Sequence, residues 1–364
     1  MIVVVKVGTS SITDERGAIA RPAIEKLCAE VAAVRAQGHQ VVIVTSGAIA
    51  AGLPALGMAD DRPRDARTLQ AVSAVGQSHL MRVYDDVLAA EGIVGGQVLL
   101  APLDFMIRQQ YLHARGTLTR LLELDTVPVV NENDAIADDE IRFGDNDRLA
   151  ALVAHLVEAE LLVLLTDAPG LLTADPRLDS SASLIEEIVE IDHELELLAG
   201  GAGTERGSGG MASKVAAAKI AAWSGVRAVI AAASREGVLL DAVAGTPGVG
   251  TVVQPRPSRL GARKLWIAFA VGSSGRVVVD DGARRALIDQ HRSLLPAGVI
   301  EVHGSFAEDD AVELAGADGT VFAKGLTRVS ASQLLQVKGR RTGDLPPGTT
   351  PEVIHRDDLV MLPR

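Results

Sequence analysis

The chain has 364 residues, long enough for two domains, and 48% of them are hydrophobic against 23% charged, the balance of a globular protein. Aromatic residues make up 2%, which leaves few platforms for stacking nucleic-acid bases, and a formal net charge of −12 argues against general polyanion binding. The single cysteine, Cys28, rules out an intrachain disulfide framework and fits a reducing, cytoplasmic compartment. No basic leader or small-residue cleavage site marks a secretory signal. Residues 41–59 are long and nearly uncharged, but Ser46, Gly47, Gly52, Pro54 and Gly57 interrupt them. We read their first part as a short buried strand and not as part of a membrane span.

In chain order, β-branched runs at 2–7, 40–45, 97–101, 127–131, 161–166 and 226–231 alternate with helical patterns at 22–37, 67–90, 108–124, 147–158 and 211–224. Strands apolar on both faces and separated by helices predict an α/β fold, a three-layer αβα sandwich around a mostly parallel sheet. In such sheets ligands bind beyond the carboxyl ends of the strands, so the residues just after each strand are the candidates for function. Near QPRPSRLGARK, residues 254–264, charges, prolines and a glycine mark a linker. We take 1–255 as the first domain, 256–263 as the linker and 264–364 as a small β-rich domain of short strands, tight turns and one or two helices. Residues 261–364 carry 13 Lys and Arg against 13 Asp and Glu, so the whole −12 lies in residues 1–260.

The first strand carries Lys6 and then Gly8, Thr9 and Ser10, a cation beside a small-residue turn that suits a phosphate; a snorkelling lysine at a strand end would look the same. After the second strand, Ser46-Gly47-Ala48 opens an apolar helix whose amides suit an anion, or is a plain N-cap. After the fourth come Asn131, Glu132, Asn133 and Asp134, then Asp145, Asn146 and Asp147 at another helix start. Dipole complementarity explains the acids at the helix start but not a second polar cluster, which can hold an ammonium, orient lysines or help place Mg²⁺. Thr166-Asp167 and Pro169-Gly170 follow the fifth strand, either an Asp turn or a nucleotide contact. Finally GAGTERGSGGMASK, residues 201–214, leads a glycine-rich loop into a helix bearing Lys214. It is not a Walker A loop, because G-K-[ST] is absent. Gly207-x-Gly209-x-x-Ala212 follows loop and not strand, which discounts a dinucleotide fingerprint. The sequence has no H-E-x-x-H, C-x-x-C or G-x-S-x-G motif for zinc or serine-hydrolase chemistry.

VVVKVGTSSIT, VVIVTSGAIAAG, VPVVNENDAI, RFGDNDRLAALVA, LLVLLTDAPGLLTADPR and GSGGMASKVAAAKIA together resemble, in order and spacing, the amino acid kinase superfamily. Within it the match is to the kinases of the glutamate side-chain carboxylate. The C-terminal segment, with RKLWIAFA, GRVVVDDGARRAL and SLLPAGV, is similar to the PUA domain, a small pseudo-barrel. One departure is Ser208, where the family usually has Thr. The resemblance implies transfer of phosphate from ATP, with Mg²⁺, to the γ-carboxylate of L-glutamate. It implies Lys6 and Lys214 flanking the migrating phosphoryl group, with Asp147 holding both lysines. It implies Ser46, Asp134 and Asn146 as glutamate contacts. It further implies that Lys6, Thr166, Asp167, Ser208, Gly209, Gly210, Met211, Ala212, Ser213 and Lys214 bind the nucleotide. It leaves the metal ligands unassigned, with Asp145 or Asp147 near the ion. Proline as a feedback inhibitor, hand-off to glutamyl phosphate reductase, and a homo-oligomer, dimer or tetramer, are also implied by the family.

The chemistry agrees with the residues. A carboxylate nucleophile is already deprotonated at neutral pH and needs no general base, so the lack of an obvious catalytic His or Cys is what this reaction calls for. The difficulty is bringing two anions together, which lysines, helix N-termini and Mg²⁺ offset. The rival readings are another kinase of the superfamily, acting on acetylglutamate, aspartate or UMP, and an RNA-binding protein acting through the PUA-like domain. The neutral charge of that domain and the few aromatics weigh against the latter.

Overall fold

The computed structural model describes the chain except residues 15, 60–61, 102–103, 106, 137–145, 180, 201–209, 258, 347–349 and 363–364. It divides into two compact units, Met1–Arg259 and Leu260–Arg364.

The first unit is built on β1 (Ile2–Val7), β2 (Gln40–Thr45), β3 (Gly95–Leu100), β4 (Val127–Glu132), β5 (Leu161–Thr166), β6 (Glu187–Ile188), β7 (Arg227–Ala232) and β8 (Thr251–Val253). They form one sheet in the order β3-β4-β2-β1-β5-β7-β8-β6. The strands from β3 to β7 run parallel; β8 turns antiparallel to β7 and β6 is parallel to β8. A parallel sheet needs cover on both faces. Val3, Val5 and Val7 of β1, with Ile43, Val129 and Val163, face a core shared with α1 (Arg21–Ala36) and α3 (Ala66–Ala90). Helix α2 (Ala48–Ala55) packs on α3, and α4 (Arg108–Glu123) lies beside β3 and β4. The other face, towards which the period-2 alternation turns Lys6, is covered by α5 (Asn146–Leu156) and by α7 (Met211–Trp223), which packs on it. Between those two in the chain lies α6 (His193–Ala199), and α8 (Val238–Ala244) follows β7.

Local sequence explains the helices that matter for the cleft. In α3, Asp65 caps the N-terminus by accepting from the Thr68 amide at 2.9 Å, and Val72, Gly76, Leu80, Tyr84, Val87 and Leu88 recur at helical spacing on the buried face. Where α3 crosses α2, no side chain fits between them. A Cβ on Gly76 would lie 1.8 Å from the Ala48 carbonyl oxygen, and one on Gly52 would lie 2.1 Å from that of Val72. Segment 41–59 is thus β2 followed by this short helix, and among the described residues no helix is long and apolar enough to cross a membrane.

The second unit is a five-stranded sheet in the order β10-β9-β11-β12-β13: β9 (Gly275–Val279), β10 (Val299–Gly304), β11 (Ala311–Ala315), β12 (Val321–Leu326) and β13 (Leu359–Met361). Its core of Val277, Val279, Val312, Leu314 and Phe322 is closed by α9 (Asp281–Gln290) and α10 (Ala331–Val337). Residues 264–270 are helical turns and not one of the short strands.

Candidate active site

A cleft of about 720 Å³ opens in the first unit at the carboxyl ends of β1, β2, β4 and β5. Its walls come from Lys6–Gly8, from the Ser46–Ala50 turn into α2, from the Asn131–Asp134 end of β4, from the stretch after β5, and from the start of α7. Ligands are expected at this edge in open α/β sheets, and the same topology brings together segments distant in the chain.

At its centre Lys6, Asp147 and Lys214 are almost completely buried, at 3%, 0% and 5% exposure. Lys6 Nζ lies 2.6 Å from Asp147 Oδ1, and Lys214 Nζ lies 3.1 Å from Oδ2. Ser213 Oγ donates to the same Oδ2 at 2.7 Å and also lies 2.8 Å from the Gly210 carbonyl. Each partner sits where its element puts it: Lys6 near the end of β1, Asp147 in the first turn of α5, Lys214 in the first turn of α7. Burial alone pushes the Asp147 carboxyl up. The charges of Lys6 and Lys214, with hydrogen bonds from Lys6 and Ser213, outweigh it and hold the group below the usual carboxylate range. The result is a carboxylate clamped between two ammonium groups, with one net positive charge beside two helix N-termini.

One end of the cleft is polar. Asn146 Nδ2 donates to the Thr45 carbonyl at 2.5 Å and to Asn131 Oδ1 at 2.7 Å, and lies 3.1 Å from Ser46 Oγ. Gly47, at φ +100°, makes the turn that aims the amides of α2; a Cβ there would be strained and would press on Ile12 at 3.0 Å. Ser73 Oγ of α3 donates to Asp134 Oδ2 at 2.9 Å. The other end is more apolar, lined by Pro169, Leu171, Leu172, Leu198 and Met211, with Thr166 and Asp167 at the strand end. Thr166 Oγ1 donates to Asp167 Oδ1 at 3.0 Å. Gly170 is held at φ +153°, where a Cβ would approach Leu184 and Thr251 to within 2.7 Å or less.

Of the residues singled out in the sequence, Lys6, Ser46, Asp134, Asn146, Thr166, Asp167, Gly210, Met211 and Lys214 all line this cleft. Asp147 and Ser213 are not among the lining residues: Asp147 pairs with the two lysines, and Ser213 donates to Asp147. Ala212 is exposed on α7 and is not among the lining residues. Ser208, Gly209 and Asp145 lie outside the described residues. Sequence reasoning missed Ser73 and Gln77 on α3 and the pocket-lining Arg62; the only signal was polar residues at 73 and 77, one helical turn apart beside Gly76. Among the described residues no three His, Cys, Asp or Glu side chains converge as a cation cage, and Asp147 is engaged by its lysines and serine. The described donor set therefore does not fit a dedicated protein site for Mg²⁺.

Residues 1–232 match the model of the amino acid kinase family, and residues 275–346 match that of the PUA domain. The chain belongs to the amino acid kinase family. Amino acid kinases similar to it over nearly their whole length include the glutamate 5-kinase of Pelobacter propionicus, 44% identical over 99% of this chain and 97% of that protein. The glutamate 5-kinase of Paraburkholderia phytofirmans is 45% identical over the same shares. Among solved structures, carbamate kinase from Giardia lamblia bound to AMP-PNP superposes with a TM-score of 0.50 at 18% identity, covering 70% of this chain and 98% of that one. At that identity the likeness speaks for the kinase fold alone.

Proposed function

We propose that this chain transfers the γ-phosphoryl group of ATP to the side-chain carboxylate of L-glutamate, giving γ-glutamyl phosphate and ADP, the opening step of proline biosynthesis. The high-coverage likeness to glutamate 5-kinases supports the substrate. The observation that carries the reading is the buried Lys6–Asp147–Lys214 clamp in a cleft with one polar and one apolar end.

In this reading the apolar end, with Thr166, Asp167, Gly210 and Met211, takes the nucleotide, and Ser208 and Gly209 of the preceding loop join it. Ser46, Asn146 and Asp134 take glutamate, with Asp134 opposite its α-ammonium. The glutamate carboxylate oxygen attacks the γ-phosphorus as the bond to the β-bridging oxygen breaks, and the electron pair leaves with ADP. Lys6 and Lys214 balance the charge on the moving phosphoryl oxygens and on the leaving group. Asp147 keeps two like charges side by side in a dry site, where they would otherwise repel. Mg²⁺ supplied with the nucleotide would lower the charge of the phosphate chain, and no described residue is assigned to hold it. Residues 1–255 carry this chemistry, 256–263 link, and 264–364 form the PUA-like unit. Proline competes at the glutamate end as a feedback inhibitor, the acyl phosphate passes to glutamyl phosphate reductase, and the chain works as a dimer or tetramer in the cytoplasm.

The test is an assay with ATP, Mg²⁺ and hydroxylamine across glutamate, aspartate, acetylglutamate and UMP, with and without proline. The expected result is hydroxamate formation with glutamate, depressed by proline. ADP release with another acceptor in place of glutamate overturns the reading.

A further inference from the structure

Behind the polar end of the cleft a row of side-chain amides runs from the wall into helix α3. Asn131 Oδ1 accepts from the Glu132 backbone amide at 2.9 Å and from Asn146 Nδ2 at 2.7 Å. A backbone N–H can only donate, so this contact fixes which end of the Asn131 amide is oxygen. Asn131 Nδ2 must then point the other way, and it donates to Gln77 Oε1 at 2.8 Å. Gln77 is therefore obliged to present its oxygen, and its buried Nε2 is left with no hydrogen-bond partner among the described residues. Gln77 is 8% exposed, so that unmade bond carries the cost of a desolvated donor. At the other end of the row, Asn146 Nδ2 is committed as donor to the Thr45 carbonyl and to Asn131. What remains of Asn146 is its oxygen, an acceptor, on a residue that lines the cleft. The arrangement depends on α3, because the Gly52–Gly76 crossing brings α3 against α2, and Gln77, next to Gly76 on that helix, meets Asn131 at the end of β4.

We propose that Gln77 is a positioning residue for the acceptor substrate: the Glu132 amide and the Thr45 carbonyl set which way the amides face, and Gln77, by accepting from Asn131 Nδ2, holds the row in place so that Asn146 presents an oxygen to glutamate. It touches neither substrate nor nucleotide and acts only through Asn131 and Asn146. An acceptor oxygen suits an ammonium and disfavours a carboxylate or phosphate at the same point, so the arrangement that Gln77 holds in place contributes to selection for an amino acid. This rests on the reading of Asn146 as a glutamate contact.

The test is steady-state kinetics of Gln77→Leu and Gln77→Glu beside the wild-type chain, with KM measured separately for glutamate and ATP and folding checked by thermal melting. Gln77→Leu removes the acceptor and leaves Asn131 Nδ2 unpaired. The expected result is a rise of about fivefold or more in KM for glutamate, with KM for ATP and kcat within about twofold. Gln77→Glu keeps an acceptor oxygen of the same size and is expected to hold KM for glutamate within about threefold of wild type. A folded Gln77→Leu with unchanged KM for glutamate overturns the proposal, and so does an equal rise in both KM values. If Gln77→Leu does not fold, Gln77→Glu still decides against the proposal should its KM for glutamate rise about fivefold or more. A wild-type chain that forms no hydroxamate from glutamate overturns the functional reading together with this one, whereas an active wild type with insensitive variants overturns this one alone.

Discussion

Lys6 sits in a strand whose neighbours Val3, Val4 and Val5 are wholly buried, and an ammonium group there is stable only because Asp147 faces it. Replacing Lys6 or Lys214 by Ala removes a charge aimed at the migrating phosphate. We expect kcat to fall by about two to three orders of magnitude in either variant, read by ADP release under saturating substrates. Near-normal turnover in either would contradict the two-lysine scheme. Asp134→Ala is expected mainly to raise KM for glutamate, since Asp134 lines the acceptor end and is steadied by Ser73; unchanged glutamate saturation would remove it from that site. Lys6 was legible in the sequence because a charge inside a β-branched run is an anomaly, and Asp147 because an acid at a helix start is a recognisable pattern. Gln77 was not. A glutamine on an amphipathic helix reads as solvent-facing until a distant partner, here Asn131 of β4, is set against it.

Among the elements, the α2–α3 crossing and the C-terminal end of α5 make separate claims. Gly76→Ala places a methyl group where the Ala48 carbonyl already lies, so α2 must move and the Ser46–Gly47 turn with it. The expected loss is about 1–3 kcal/mol of stability, with a higher KM for glutamate. Gly116→Ala, in exposed helix with nothing within 4 Å of the new Cβ, is the control and should gain about 0.5–1 kcal/mol. Both are read from urea midpoints. On α5, burial is the main cause that drives His155 down to about 4, with Arg115 and Arg259 adding to it and Glu158 opposing. A histidine whose folded pKa lies below its unfolded value binds fewer protons when folded, so the native state weakens as pH falls from about 6.5 towards about 4. The urea midpoint of wild type should drop across that window, and His155→Leu should flatten the drop. The main strands and helices were legible because their apolar periods are long and unbroken. The edge strand β6 and its neighbour β8 were not, being two and three residues long. Strand β3 begins at Gly95, two residues before the β-branched run suggests, because pairing of Gly95 and Gly96 with Val127 and Pro128 overrides the poor strand propensity of glycine.

The whole molecule separates charge as well as chain. The net −12 lies in residues 1–260, residues 261–364 are neutral, and every residue lining the cleft falls between Lys6 and Lys214. The positive charge at the clamp is thus a local feature in an acidic unit, suited to a small anionic nucleotide and not to a long polyanion. We expect no salt-dependent binding of tRNA or rRNA fragments in filter assays at low salt. A steep fall in RNA affinity with rising salt would contradict that and would give the C-terminal unit an electrostatic partner. The cleft was legible as a set of strand-end motifs because parallel topology gathers such ends on one edge. Its depth and its back wall depend on helix crossings that no local pattern announces.

The central claim is tested most directly by the single-turnover rate of acyl phosphate formation from glutamate and ATP, trapped as hydroxamate, in Asp147→Asn. That change keeps the size of the side chain but removes the charge that holds two ammonium groups together. The expected result is a rate lower by about a hundredfold or more, with nucleotide affinity by calorimetry within about fivefold of wild type. A rate within about threefold of wild type would contradict the account, because Lys6 and Lys214 would then reach the phosphate without the carboxylate between them.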